Sequence, residues 1–207
     1  MDAKRNMAKE PQPGEGETRH MEGLGLESVI ERAKGHDAEA LGEIYHRYVR
    51  RVFGLCRYML HTRESAEDAT SEVFLKLQHS IKSYDSSIPF PRWLLHVAGN
   101  QCIDALRRLQ RGQKVFVEVE AGAAVVDAAS SEPSPLGAAI SAEERARVRD
   151  TLARLADNYR VPLVLRYYGD LSYDEIAQEM GLERNYVAAL IFRAKKELRR
   201  RLAPGSK

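Results

Sequence analysis

The densest chemistry in this 207-residue chain sits at its C-terminal end. From Arg184 to Lys207 there are eight basic residues (Arg184, Arg193, Lys195, Lys196, Arg199, Arg200, Arg201, Lys207), opposed only by Glu197. Cations at that density suit a polyanion, because each neutralised phosphate releases its condensed counter-ions. They suit equally well a solvated helix end whose cations complement the C-terminal dipole. A second concentration is acidic: Glu64, Glu67, Asp68 and Glu72 fall within nine residues. The net charge of +2 hides both. Catalytic patterns are missing: there is no phosphate-cradling glycine loop, HExxH or GxSxG. His20, His36, His46, His61, His79 and His96 are scattered and form no ligand spacing. Two cysteines, Cys56 and Cys102, are too few for a structural zinc site or a disulfide framework and read as small apolar residues. No catalytic residue, metal site or cofactor is expected.

The elements that must position these groups are helical. Apolar residues recur with helical period at Leu26, Val29, Ile30 and Ala33, then at Leu41, Ile44, Tyr45, Tyr48, Val52, Leu55 and Met59. A third helix carries the acidic group, with Ala66, Ala69, Val73 and Leu77 inward. Tyr84 to Pro91 reads as a loop, since Pro89 and Pro91 interrupt helical pairing. Beyond it a helix of about Arg92–Leu109 shows Leu95, Ala98, Cys102, Ala105 and Leu109 on its core stripe, with Trp93 also expected in the core. After a small-residue, acidic stretch come Val148, Leu152 and Leu155, and then a helix with Pro162 expected in its first turn. Ser172-Tyr173-Asp174-Glu175 is a capping-box pattern, and Gly181 is placed to end the short helix it opens. A longer basic helix follows, buried through Val187, Leu190, Ile191, Ala194, Leu198 and Leu202. Helix, glycine turn and longer basic helix make a helix-turn-helix.

Two segments together carry a family resemblance. AEDATSEVFLKL followed by PFPRWLLHVAGNQCIDALRR resembles region 2 of bacterial RNA polymerase sigma factors. RVPLVLRYYGDLSYDEIAQEMGLERNYVAALIFRAKKELRRRL resembles their region 4. With these two regions and a linker between them, the chain resembles the extracytoplasmic-function (ECF) group. The expected fold is all-α: two small helical domains joined by a flexible linker. The expected divisions are a disordered tail at 1–23, a region 2-like domain at 24–111, an acidic linker at 112–140 and a helix-turn-helix domain at 141–204. The linker assignment follows from composition, which offers too little apolar area to offset the entropy of ordering.

The resemblance implies partners and residue roles. The acidic helix would dock on the β and β′ subunits of core polymerase through Asp68 and Glu72, although Ser71 and Gln78 stand where the family usually has glutamine and tryptophan. The loop and the helix after it would bind the non-template strand of the −10 element through Tyr84, Asp85, Phe90, Asn100, Arg107 and Arg108. The last helix would enter the major groove of the −35 element, with Arg184, Asn185, Tyr186, Ala188, Ala189, Arg193, Lys195 and Lys196 as contacts. Ala188, Ala189 and Leu190 replace residues usually polar or basic, so base-edge hydrogen bonds are few. An anti-sigma factor is a further partner the resemblance admits.

Two other readings remain open at this point: a stand-alone helix-turn-helix regulator, and a sigma-like protein that titrates polymerase without directing initiation. No apolar run approaches the ~20 residues that span a bilayer, and the polar N-terminus has no secretory pattern. A cytoplasmic protein is expected.

Overall fold

The computed structural model describes residues 25–109 and 142–203. The expected tail and linker lie outside them. The first half holds α1 (Leu26–Lys34), α2 (Ala38–Met59), α3 (Arg63–Ser80), a 3₁₀ turn at Ile81–Ser83 and α4 (Phe90–Leu109). The second holds α5 (Ala142–Ala153), α6 (Asp157–Tyr167), α7 (Tyr173–Met180) and α8 (Arg184–Leu202). Among the described residues there is no strand.

Local chemistry sets the boundaries. Asp37 caps α2 by accepting from the Glu39 and Ala40 N–H groups, while its second oxygen accepts from Arg32 at 2.7 Å. Those bonds hold the Asp37 carboxyl below its ordinary range. Thr62 caps α3 by accepting from the Ser65 N–H at 3.0 Å. The capping box forms as expected: the Glu175 N–H donates to Ser172 Oγ at 3.2 Å, and the Ser172 N–H donates to Glu175 Oε2 at 2.7 Å. Gly181 ends α7 in the left-handed region, φ 68°, where a Cβ is disfavoured.

Two expectations fail for identifiable reasons. Pro162 is not in the first turn of its helix, because α6 begins five residues earlier, at Asp157. Its missing N–H leaves one interior turn unbonded, a cost that the burial of Val161, Leu163, Val164 and Leu165 on the same helix offsets. Leu109, the last described residue of α4, is exposed rather than core. The inward positions near that end are Cys102, Ile103 and Leu106, on more than one side of the helix. α4 is buried on several faces because it has neighbours from both halves.

Those neighbours define how the halves meet. α6 lies against α2 and α4, and α7 lies against α4. Two helix-interior glycines mark the contact. A Cβ at Gly99 would lie 2.7 Å from Leu165 Cδ2, and one at Gly54 would collide with the Tyr168 hydroxyl. Each glycine costs a helix ~1 kcal/mol relative to alanine, so their presence where Leu165 and Tyr168 come up against the helix answers a packing need. Tyr168 donates its hydroxyl to the Arg51 carbonyl at 3.2 Å and packs on Tyr58. Arg160, fully buried, donates to the Met59 carbonyl at 3.0 Å and to Asp157 Oδ1 at 2.6 Å.

Candidate nucleic-acid and partner interfaces

On α8 the burial of Val187, Leu190, Ile191 and Ala194 turns the opposite side outward. At 3.6 residues per turn that outward side carries Asn185, Ala189, Phe192 and Lys196, with Ala188 and Arg193 at its edges. Asn185, Phe192 and Lys196 are exposed. Phe192, 51% exposed, is the one large apolar group on this face, and periodicity in a basic sequence gives no reason to single it out. Arg184 is exposed but engaged: it pairs with Asp174 at 3.3 Å and lies over the Tyr173 ring. Tyr186, Ala188 and Ala189 are half-buried. Lys195 departs from the expected grouping, because it points over the Tyr167 ring into a groove with Tyr58 and Leu198. Farther along, Arg200 and Arg201 both donate to Glu197, holding its carboxyl down at about 2. The cationic tail therefore presents less free charge than its count implies.

α4 and its preceding loop are tied together by aromatics. Tyr84 and Phe90 are buried, with Tyr48, Tyr84 and Trp93 all within 5.6 Å of Phe90, centroid to centroid. The Tyr84 hydroxyl donates to the Ile88 carbonyl at 2.7 Å, which closes the loop from below. Burial raises the Tyr84 phenol above its ordinary value. These two residues thus shape the loop from within; its exposed rim is Asp85, Ser86 and Ser87. Asp85 accepts from the Ser87 hydroxyl and N–H, which hold its carboxyl below the ordinary carboxylate value. Trp93 packs against the core, as expected. Arg107 and Arg108 are exposed and, with Lys76 and Asp104, line an open pocket of about 430 Å³. Asn100 is half-buried, and its Oδ1 is buried without a partner.

Residues 44–112 match the family description Sigma-70 region 2, and residues 145–198 match Sigma-70, region 4. The ECF RNA polymerase sigma factor SigK of Mycobacterium tuberculosis is 33% identical over 175 residues, covering 84% of this chain and 91% of SigK. The chain belongs to the ECF sigma factors. SigW of Bacillus subtilis, another member, is 28% identical over 180 residues, covering 86% of this chain and 96% of SigW. Two solved structures share the fold. CnrH in complex with the cytosolic domain of CnrY has a TM-score of 0.53 at 22% identity, covering 86% of this chain and 97% of CnrH. RpoE of Bartonella quintana, bound to the anti-sigma factor NepR, has a TM-score of 0.53 at 17% identity, covering 80% and 98%. As a sigma factor, the chain serves RNA polymerase in promoter-directed transcription initiation.

In this sigma factor α3 offers the expected acidic face. Glu64, Asp68 and Leu75 fall on one side of it and are exposed; Glu72, on the same side, is half-buried. Leu75 is 66% exposed at the centre of that side, an uncovered apolar group among the carboxylates. Asp68 has no side-chain bond among the described residues. Glu72 differs. It accepts from Gln101 Nε2 and from Arg108 Nη2, the latter at 3.2 Å, so it also ties α3 to α4. Lys76 donates to Gln101 Oε1 across the same seam. Behind it, the buried Cys102 thiol donates to Cys56 Sγ at 3.5 Å; that bond and burial raise Cys102 well above the ordinary thiol value. Among the described residues no cluster of histidine, cysteine or carboxylate suits a metal, and no helix is long and apolar enough to cross a membrane.

Proposed function

We propose that this sigma factor docks on core polymerase through the exposed side of α3, with Asp68 and Leu75 central and Glu72 bridging to α4. In the same reading α4 and the Asp85–Ser87 rim hold the non-template strand of the −10 element, with Asn100, Arg107 and Arg108 along it. Tyr84 and Phe90 contribute by supporting that loop rather than by touching bases. α8 enters the major groove of the −35 element, presenting Asn185, Ala188, Ala189, Phe192 and Lys196, with Arg193 at the flank and Arg184 and Tyr186 at the helix start. Lys195 sits to one side and reaches a phosphate only by leaving the Tyr167 ring.

The observation that carries this reading is the coexistence, in one chain, of the exposed α3 side and the outward α8 face on a helix-turn-helix. A stand-alone regulator has no use for the first. Recognition by α8 relies on phosphate attraction and on apolar contact: Ala189 and Phe192 suit a thymine methyl, and Asn185 is the residue on that face with an amide for a base edge. The factor has no active site in this reading. Nucleotidyl transfer and its metal ions belong to the polymerase, and the place of action is the cytoplasm. An anti-sigma factor is an additional partner class that the fold accommodates. The test is co-purification with core polymerase followed by run-off transcription on promoters selected by the reconstituted holoenzyme. Binding without transcripts would favour a titrating protein, and no binding would reject the reading.

A further inference from the structure

We infer that Cys56 and Cys102 form an enclosed dithiol that hydrogen peroxide converts to a disulfide, while bulkier oxidants are kept out. The two residues stand 46 apart in sequence, on α2 and α4, and the fold sets their sulfurs 3.5 Å from each other. Both are free thiols, and neither exposes any surface.

Geometry and surroundings separate this pair from two apolar residues that happen to touch. A disulfide sets its sulfurs ~2.05 Å apart, so closure requires a movement of about 1.5 Å from the separation seen here. Side-chain rotation shared with a small approach of α2 to α4 supplies a movement of that size. The two thiols also differ. Cys102 donates its S–H to Cys56, and that bond, together with the Thr70 hydroxyl, holds the Cys56 thiol below its ordinary value. The same bond and burial push Cys102 well up. Thr70, buried on α3, gives the apolar interior a polar neighbour for a thiolate. Cys56 is therefore the attacking thiol and Cys102 the resolving one.

The chemistry balances in two steps. The Cys56 thiolate attacks one peroxide oxygen: an S–O bond forms, the O–O bond breaks, and the released hydroxide takes up the proton that Cys56 gave up, leaving as water. The Cys102 sulfur then attacks the Cys56 sulfenic acid. An S–S bond forms, the S–O bond breaks, and the departing hydroxide carries off the Cys102 proton as a second water. The two thiols give up two electrons, and the peroxide is reduced by them.

Enclosure sets the selectivity. Exchange with a disulfide such as oxidised glutathione must bring a bulky sulfur up to the attacking thiolate, and α2, α3 and α4 pack together around that approach. Hydrogen peroxide is little larger than water. The product ties α2 to α4 behind α3, inside the bundle that bears the proposed docking and strand-binding sides.

The test uses the reduced full-length chain, native and unfolded in urea, with hydrogen peroxide or oxidised glutathione as oxidant. Intact mass after alkylation counts free thiols, added oxygens and lost hydrogens. We expect peroxide to turn the native chain into a monomer that lacks two hydrogens and resists alkylation until it is reduced. Folding should slow oxidised glutathione ~10-fold or more beyond its slowing of peroxide. With Cys102→Ser, dimedone should capture a sulfenic acid at Cys56; with Cys56→Ser, capture at Cys102 should fall ~10-fold or more. A native chain that keeps both thiols under peroxide overturns the proposal, as does one that gains oxygens or cross-links into dimers instead. Equal slowing of the two oxidants overturns the enclosure, and equal dimedone capture in the two variants overturns the order of attack. The mass readings on the parent need no substitution, so they refute or support the disulfide even where a variant fails to fold.

Discussion

Replacing Arg160 by alanine should produce the largest single loss of stability available outside the apolar core. The side chain is fully buried and holds both halves: it donates to Asp157 Oδ1 at 2.6 Å and to the Met59 carbonyl at 3.0 Å, and it lies against the His61 ring. Burial depresses the guanidinium pKa, and only Asp157 pulls it back. Truncation leaves the Asp157 carboxylate, itself only 10% exposed, without its closest partner, and leaves the Met59 carbonyl without its donor. Removing one member of a buried pair costs ~3–5 kcal/mol. For a chain of this size each kcal/mol moves Tm by ~2–4 °C, so the loss is on the order of 10 °C. Differential scanning calorimetry gives the midpoint, and a double-mutant cycle with Asp157→Asn gives the coupling. Because Arg160 bridges to α2, the parent should melt in one transition and Arg160→Ala in two. A shift below ~3 °C with an unchanged single transition would show that the pair is solvated and that the halves are not joined through it.

Further expectations concern binding and pH. Asp68→Lys should weaken core polymerase binding about tenfold or more without changing Tm, since its side chain is exposed; Glu72→Lys should weaken it too but also lower Tm, because Glu72 holds Gln101 and Arg108. Unchanged core affinity of Asp68→Lys would reject the docking side. Lys196→Ala should reduce the salt slope of holoenzyme binding by about one while lowering affinity for most sequences alike, whereas Asn185→Ala should cost ~1–3 kcal/mol of discrimination at one or two −35 positions. A steep preference surviving Asn185→Ala would transfer base reading to other residues. The Glu175 carboxyl is pushed up by burial, but the Ser172 N–H and hydroxyl and Arg92 outweigh this and hold it below the usual carboxylate value. Its contribution is therefore complete above about pH 4.5 and is lost as pH falls through its lower folded value. Acid titration of Tm should show a decline below pH 4.5 that is shallower in Glu175→Gln, and identical curves would contradict the assignment.

Helix positions, the capping box at Ser172 and Glu175, the turn glycine at 181 and the inward side of α8 were legible in the sequence. They depend on interactions within a turn or two of chain, where residue type and spacing act directly. The family, too, was legible, because both motifs occur in order. What tertiary structure alone decided are the sides that face another element. Tyr84 and Phe90 carry aromatic rings at a loop, as a base-stacking site would, yet they are buried against Tyr48 and Trp93 from separate helices. Lys195 lies in a run of cations, but its turn angle brings it over Tyr167 of α6. Leu75 and Phe192 look like ordinary core residues until no element covers them. Arg160 reads as one more solvated arginine, and it is buried because α2 and α6 meet there. Periodicity reports which residues share a side of a helix; it carries no information on which partner, if any, arrives at that side. The residues at positions 54 and 99 show the limit most plainly, since a glycine inside a helix signals only a local weakness until Tyr168 and Leu165, more than sixty residues away in sequence, are found against them.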